Sequence, residues 1–165
     1  MESSPNIVIR AAQEPEDMAL VRELFEEYAR NLPVDLDFQG FDEELANLPG
    51  EYAQPSGCVM LAFVDEQLAG CCALRPLNTS DYSNASEMKR LYVRKSFRGF
   101  GLGRTLAHAI MEGAQLAGYS CILLDTLDEM DAARALYEDL GFYEVAPYYF
   151  NPHPGAFFLK ADFYG

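Results

Sequence analysis

The sequence predicts an α+β fold with layered helices: a mixed, mostly antiparallel central sheet carrying helices on both faces. Three observations predict it. Strand and helix periodicities follow one another as strand, two helices, three strands, helix, strand, helix, two strands. The middle strands are joined by connections without a helix, which makes them antiparallel. At 165 residues, with 50% hydrophobic and 23% charged residues, the chain can bury one sizeable core, and residues 1–165 read as one domain.

Ile7–Ala11 reads as the first strand. Glu14-Pro15-Glu16-Asp17 is a helix start, with proline near the first helical position and acids in the first turn. Val21, Leu24, Phe25 and Tyr28 then share one helical face that runs to about Arg30, and Pro33 stops it. Phe41–Leu48 reads as a short second helix between Gly40 and Pro49. Cys58–Val64 and Leu68–Arg75 are strands about an Asp65-Glu66-Gln67 turn, and Pro76 ends the second. A polar loop leads to Ser86. A hairpin centred near Asp81 brings Arg75 and Glu87 together across neighbouring strands.

Glu87 opens a stretch of unusual composition. Met88, Arg90, Tyr92 and Arg94 alternate with Glu87, Lys89, Leu91 and Val93, as the two faces of a strand do. A glycine-rich turn follows, and then Leu102, Leu106, Ile110 and Ala114 form a helical stripe that Gly118 closes. Cys121–Asp125 is a short buried strand. Asp128 or Asp131 caps a last helix on Ala133, Leu136, Tyr137 and Leu140, and Gly141 ends it. Phe142–Val145 and Ala156–Phe163 are the final strands, about a stiff aromatic loop, Pro147 to Gly155.

The chain carries 12 Lys and Arg against 26 Asp and Glu, a net charge of −14. Yet Lys89, Arg90, Arg94, Lys95, Arg98 and Arg104 lie within one short segment that contains no acid. A strand, a glycine-rich turn and a helix N-terminus offer backbone N–H groups and partial positive charge to an anion. An exposed basic loop that balances nearby acids is the plainer reading. The spacing is not that of a Walker A loop. Gly99, Gly101 and Gly103 give G-x-G-x-G, not the G-x-G-x-x-G of a dinucleotide site, although Asp125 lies about twenty residues on.

Arg98-x-x-Gly101-x-Gly103 resembles the [RQ]-x-x-G-x-[GA] pyrophosphate loop of the GNAT superfamily of acetyl-CoA-dependent N-acetyltransferases. It follows an E-M-K-R-L-Y-V strand and precedes Ala135-Leu136-Tyr137-Glu138-x-x-Gly141-Phe142, which is similar to the superfamily's second conserved block. The resemblance is close from Cys58 to Val145 and implies the acyl-CoA N-acyltransferase fold.

It also implies roles. Arg98, Gly99, Phe100, Gly101, Leu102, Gly103, Arg104 and Thr105 would hold the diphosphate of acetyl-CoA, the cosubstrate, with no metal. Leu91, Tyr92 and Val93 would flank the pantetheine arm, and a backbone N–H near Val93 would polarise the thioester carbonyl. Tyr137 would act as general acid for the departing thiolate; by spacing alone it is also a core aromatic. Glu87 would act as general base, directly or through water; it is equally a salt-bridge partner of Arg75. Arg75, Tyr148, Tyr149 and Asn151 are candidates for the acceptor pocket, Arg75 as a reader of a carboxylate. Family members carry an Asn seven residues before the tyrosine, where this chain has Met130.

Transfer of an acetyl group to a primary amine of a small molecule or a protein is therefore the leading expectation. A CoA-binding sensor or interaction module without turnover is the other. Nucleic acid is a poor partner for a protein of this net charge. No apolar run reaches bilayer length, and residues 1–6 lack a signal region. Cys58, Cys71, Cys72 and Cys121 sit in apolar runs without metal spacing, as reduced thiols of a cytoplasmic protein do. His108 and His153 read as structural or solvated. The sequence leaves room for a homodimer.

Overall fold

The computed structural model describes residues 4–32, 40–79, 81–127, 131–151 and 155–163. Pro33, Asp128, Met130 and the Pro152-His153-Pro154 segment lie outside the described residues.

The elements are β1 (Ile7–Ala11), α1 (Met18–Arg30), α2 (Phe41–Ala46), β2 (Cys58–Val64), β3 (Gln67–Leu77), β4 (Ala85–Val93), α3 (Leu102–Leu116), β5 (Cys121–Leu127), α4 (Asp131–Asp139), β6 (Tyr143–Val145) and β7 (Ala156–Asp162). The expected order holds. One seven-stranded sheet runs β1-β2-β3-β4-β5-β7-β6, with β4 and β5 parallel and every other pair antiparallel.

Helices cover both faces. Val21, Leu24 and Phe25 of α1 and Phe41 of α2 pack with Val59, Leu61, Cys71 and Ala73 on one side. The predicted α3 stripe, Leu102, Leu106, Ile110 and Ala114, is fully buried with Tyr137 of α4 on the other. Burying such side chains contributes about 1.5–3 kcal/mol each, which makes this stripe the main anchor of α3. Among the described residues, no helix is long and apolar enough to cross a membrane.

Several strand ends differ from expectation by one or two residues, and α1 starts only at Met18, so Pro15 lies ahead of the helix and no acid stands in its first turn. Pro76 does not end β3; it pairs with Ser86. β2 pairing stops at Leu74, so one side of β3 is a free edge there and a missing N–H costs little. β5 runs two residues beyond Asp125.

The larger correction is in β4. Lys89 pairs with Ala73 and Tyr92 with Cys71, so Arg90 and Leu91 together oppose one residue. Arg90 stands at φ 61° in this bulge, a conformation that costs about 1–2 kcal/mol. Glu44 of α2 offsets it, accepting from Arg90 Nε at 3.0 Å and the adjacent terminal nitrogen at 2.8 Å. Strict alternation therefore fails. Met88 shares its face with Leu91 and Val93, against α3, while Arg90 lies over the Tyr28 and Phe41 rings.

Candidate active site

β4 and β5 separate early. Their pairing covers only Ala85↔Cys121, Ser86↔Ile122 and Glu87↔Leu123. Beyond it β4 continues to Val93 and β5 to Leu127, and a gap opens between them. The Arg94 N–H turns back to the Ala69 carbonyl at 2.8 Å. Successive amides of a strand point to opposite sides, so the Val93 N–H faces the gap. Arg98 Nε donates to the Val93 carbonyl at 3.1 Å, tying the glycine turn to the end of β4. Leu91 and Val93 pack toward α3, and Tyr92 lies beside Tyr28 on the opposite face.

The turn then delivers the chain into α3. Gly101 caps the helix at φ 73°, where any side chain is strained. A Cβ there would meet nothing within 4 Å, so the backbone of the turn is open. Among the described residues, no protein acceptor meets the N–H groups of residues 99–103. Thr105 N–H is bonded, to Gly101 O at 3.2 Å. Phe100 is exposed and Leu102 buried. Free amides at a helix start are groups of the kind that can hold an anion.

The basic segment is less free than its composition suggests. Arg90 is buried against Glu44, Arg94 is held by Glu23 and Glu27, Lys89 lies 3.8 Å from Asp125, and Arg104 pairs with Asp139 at 2.8 Å. Among the described residues, Lys95 and Arg98 are the cations of this segment without a carboxylate partner. The acids that neutralise the others come from α1, α2, β5 and α4, distant in sequence. What this turn can offer an anion is therefore backbone amides more than side-chain charge.

Tyr137 is placed by the end of α4. Phe142 N–H bonds to Tyr137 O and Gly141 N–H to Glu138 O, both at 3.0 Å, with Gly141 at φ 101°. This left-handed cap requires glycine and brings the Phe142 ring to 5.7 Å from Tyr137. Tyr137 is 7% exposed. Burial pushes its phenol well above the usual range, and the Asp125 carboxylate adds to that. Tyr137 packs with α3 on one face of the sheet, and Tyr28 lies on the other.

A seven-stranded sheet with this gap beside a glycine turn is a known architecture. The family model described as the acetyltransferase (GNAT) family matches residues 20–142. The chain belongs to the GNAT family. It is an acyltransferase of that family, 37% identical over 163 residues to an uncharacterized N-acetyltransferase of Schizosaccharomyces pombe, covering 98% of each chain. It is 33% identical over 103 residues to the N-acetylaspartate synthetase of Danio rerio, covering 62% of this chain and 36% of that one. In fold it is similar to the Salmonella typhimurium protein yncA, solved with its cofactor acetyl-CoA. There the TM-score is 0.68 at 19% identity, over 94% of this chain and 93% of that one.

In this GNAT chain a second, polar cavity of about 310 Å³ lies on the α1/α2 face where the strands separate. Arg75, Glu87, Lys89, Tyr148 and Tyr149 line it. Arg75 Nε donates to Glu87 Oε1 at 2.8 Å, and Tyr148 Oη donates to Glu87 Oε2 at 2.6 Å. Both Glu87 oxygens thus have donors, and the side chain is 1% exposed. Tyr149 donates to Asp125, as does Asn151 Nδ2 at 3.0 Å. The Tyr148 and Tyr149 rings pack on each other and on Phe158. Burial raises both phenols, which keeps them neutral donors. It pulls Lys89 below the usual lysine range, against the charges of Glu87 and Asp125.

Sequence reasoning brought Arg75, Glu87, Tyr148, Tyr149 and Asn151 to one place. It missed Asp125, Lys89 and Glu44 as parts of the site. Asp125 was legible as an acid closing an apolar strand; Glu44 gave no signal, because its partner is 46 residues away.

Proposed function

We propose that the chain, as one domain, transfers an acetyl group from acetyl-CoA to a primary amine of a small molecule or protein by direct attack. The observation that carries the reading is the open row of amides at residues 99–103 beside the gap between β4 and β5. The relative named for N-acetylaspartate supports the small-molecule side of that choice.

Acetyl-CoA, when bound, supplies the acyl group as a thioester. The amides of residues 99–103 and the Arg98 side chain hold its diphosphate. Leu91, Tyr92 and Val93 flank the pantetheine arm, and the Val93 N–H polarises the carbonyl. Tyr148 and Glu87 remove the amine's proton as a relay: the amine gives its proton to Tyr148 Oη, which passes its own to Glu87 Oε2 along their 2.6 Å bond. Tyr137, a buried and neutral phenol of α4, gives its proton to the departing sulfur. Arg104 already has a partner in Asp139, exposed and exchangeable, and can turn to the diphosphate.

The test is release of CoA thiol from acetyl-CoA across amines, amino acids, polyamines and peptides, beside a calorimetric titration with CoA. Thiol release with at least one amine is expected. CoA binding without release would make the chain a CoA-binding module, and no binding at millimolar CoA would end the reading.

A further inference from the structure

We infer that the acceptor amine carries a carboxylate, as a free amino acid does, and that Arg75 receives it. The inference rests on the acyl-transfer reading above and adds a substrate class to it.

Arg75 is held by one edge and offered by the other. Its Nε and one terminal nitrogen both lie 2.8 Å from Glu87 Oε1. Glu87 is buried, so this edge is fixed. The second terminal nitrogen turns away, to Glu51 Oε2 at 2.9 Å. The Glu51 side chain is 62% exposed, and an exposed acid is a weak and exchangeable partner. Arg75 also lines a neighbouring cavity of about 370 Å³, and Glu51 sits in that one. The free edge of the guanidinium is therefore at the boundary of two cavities, occupied by a carboxylate that solvent can replace. A planar fork fixed by a buried acid is the arrangement that reads an incoming carboxylate.

The charges around the 310 Å³ cavity agree. Two cations, Arg75 and Lys89, line it with one acid, Glu87, while Glu51 and Asp125 bear on the cations from outside the lining. A polyamine or a lysine side chain brings no anionic group to take the place of Glu51 on Arg75. The volume is at the small end of the roughly 300–1,000 Å³ usual for ligand sites. The cavity also opens at Glu87, the last paired residue before the strands part, so an amine seated in it borders the gap.

The experiment uses the full wild-type chain with matched acceptors. Each common amino acid is compared with its amide and with the amine lacking the carboxyl group, by rate of CoA thiol release. At least one amino acid should be turned over, with kcat/KM about tenfold or more above that of its amide. Arg75→Gln removes the partner of Glu87 and should slow turnover of both acceptors, so its readout is the preference: the acid-over-amide ratio of kcat/KM should fall from about tenfold to near one. Because the matched acceptors are compared on the unaltered protein, the outcome does not depend on the variant folding. Equal kcat/KM for acid and amide, or preference for polyamines or peptide lysines, overturns the inference and leaves acyl transfer standing. Thiol release from no acceptor at all overturns both.

Discussion

Arg75 and Glu87 face each other across β3 and β4 and lock side chain to side chain, Nε to Oε1 at 2.8 Å, with Glu87 fully enclosed. The pair sits where β4 leaves β5, so it closes the sheet on one side and builds the polar cavity on the other. A buried acid with a cation on one oxygen and a phenol on the other can act only through those partners.

Glu87→Gln keeps the shape and removes the charge. Breaking a pair with one fully buried member should lower unfolding stability by about 3 kcal/mol. Tyr148→Phe instead leaves the ion pair and removes the relay. Its stability loss should be about 1 kcal/mol, yet kcat should fall about a hundredfold. Denaturant unfolding run beside steady-state kinetics separates the two. A Tyr148→Phe protein that keeps wild-type kcat would exclude the relay.

Tyr137 offers a cleaner division between binding and chemistry. Among the described residues no hydrogen bond from its hydroxyl holds α4, which the Gly141 cap and the Phe142 ring contact secure. Tyr137→Phe should leave CoA affinity within about twofold and lower kcat about a hundredfold. Because burial raises the phenol above its ordinary value of 10.0, it stays protonated through neutral pH. Any decline of wild-type rate between pH 7 and pH 9 should therefore persist unchanged in the variant, about those pH values that ordinary phenols also pass protonated.

The sequence carried what is local. Ile7–Ala11 and Cys58–Val64 match the observed strands to the residue, since alternation and flanking turns are written within a few positions. The Tyr137 block was legible because its glycine cap and ring contact span six residues. The bulge at Arg90 was not, since it depends on Glu44 of a helix far away in the chain. The basic segment misled for the same reason: Glu23, Glu27 and Glu44 reach it only after α1 and α2 have packed on the sheet. Pro76 reads as a breaker until one sees that β2 has already stopped beside it.

Gly101 tests the anion site without touching a side-chain charge. At φ 73° an alanine is strained by about 1–2 kcal/mol, and no neighbour would clash with the new methyl. That methyl projects into open space beside the turn. Gly101→Ala should fold, lose stability by that amount, and bind CoA about tenfold more weakly or worse. Calorimetry reads the affinity directly. Undiminished CoA binding would move the diphosphate away from this turn.

Glu27 and Arg94 join α1 to the end of β4, just ahead of the glycine turn. Arg94 Nε donates to Glu27 at 3.0 and 3.2 Å, and a terminal nitrogen makes a further short contact. These hydrogen bonds hold the Glu27 carboxyl below its ordinary value of 4.5, against the opposing effect of burial. The sign follows from proton binding: below 4.5 the unfolded chain takes up a proton here before the folded one does. The stabilisation is thus complete above pH 4.5 and is lost as pH falls through the lowered folded value. Glu27→Gln removes the titrating group and should cost about 1 kcal/mol at pH 7, with the deficit against wild type shrinking as pH falls from 5 to 3. Thermal unfolding at a series of pH values checks it, and a deficit that stays constant over that range would show that this carboxylate does not link α1 to β4 in the way described.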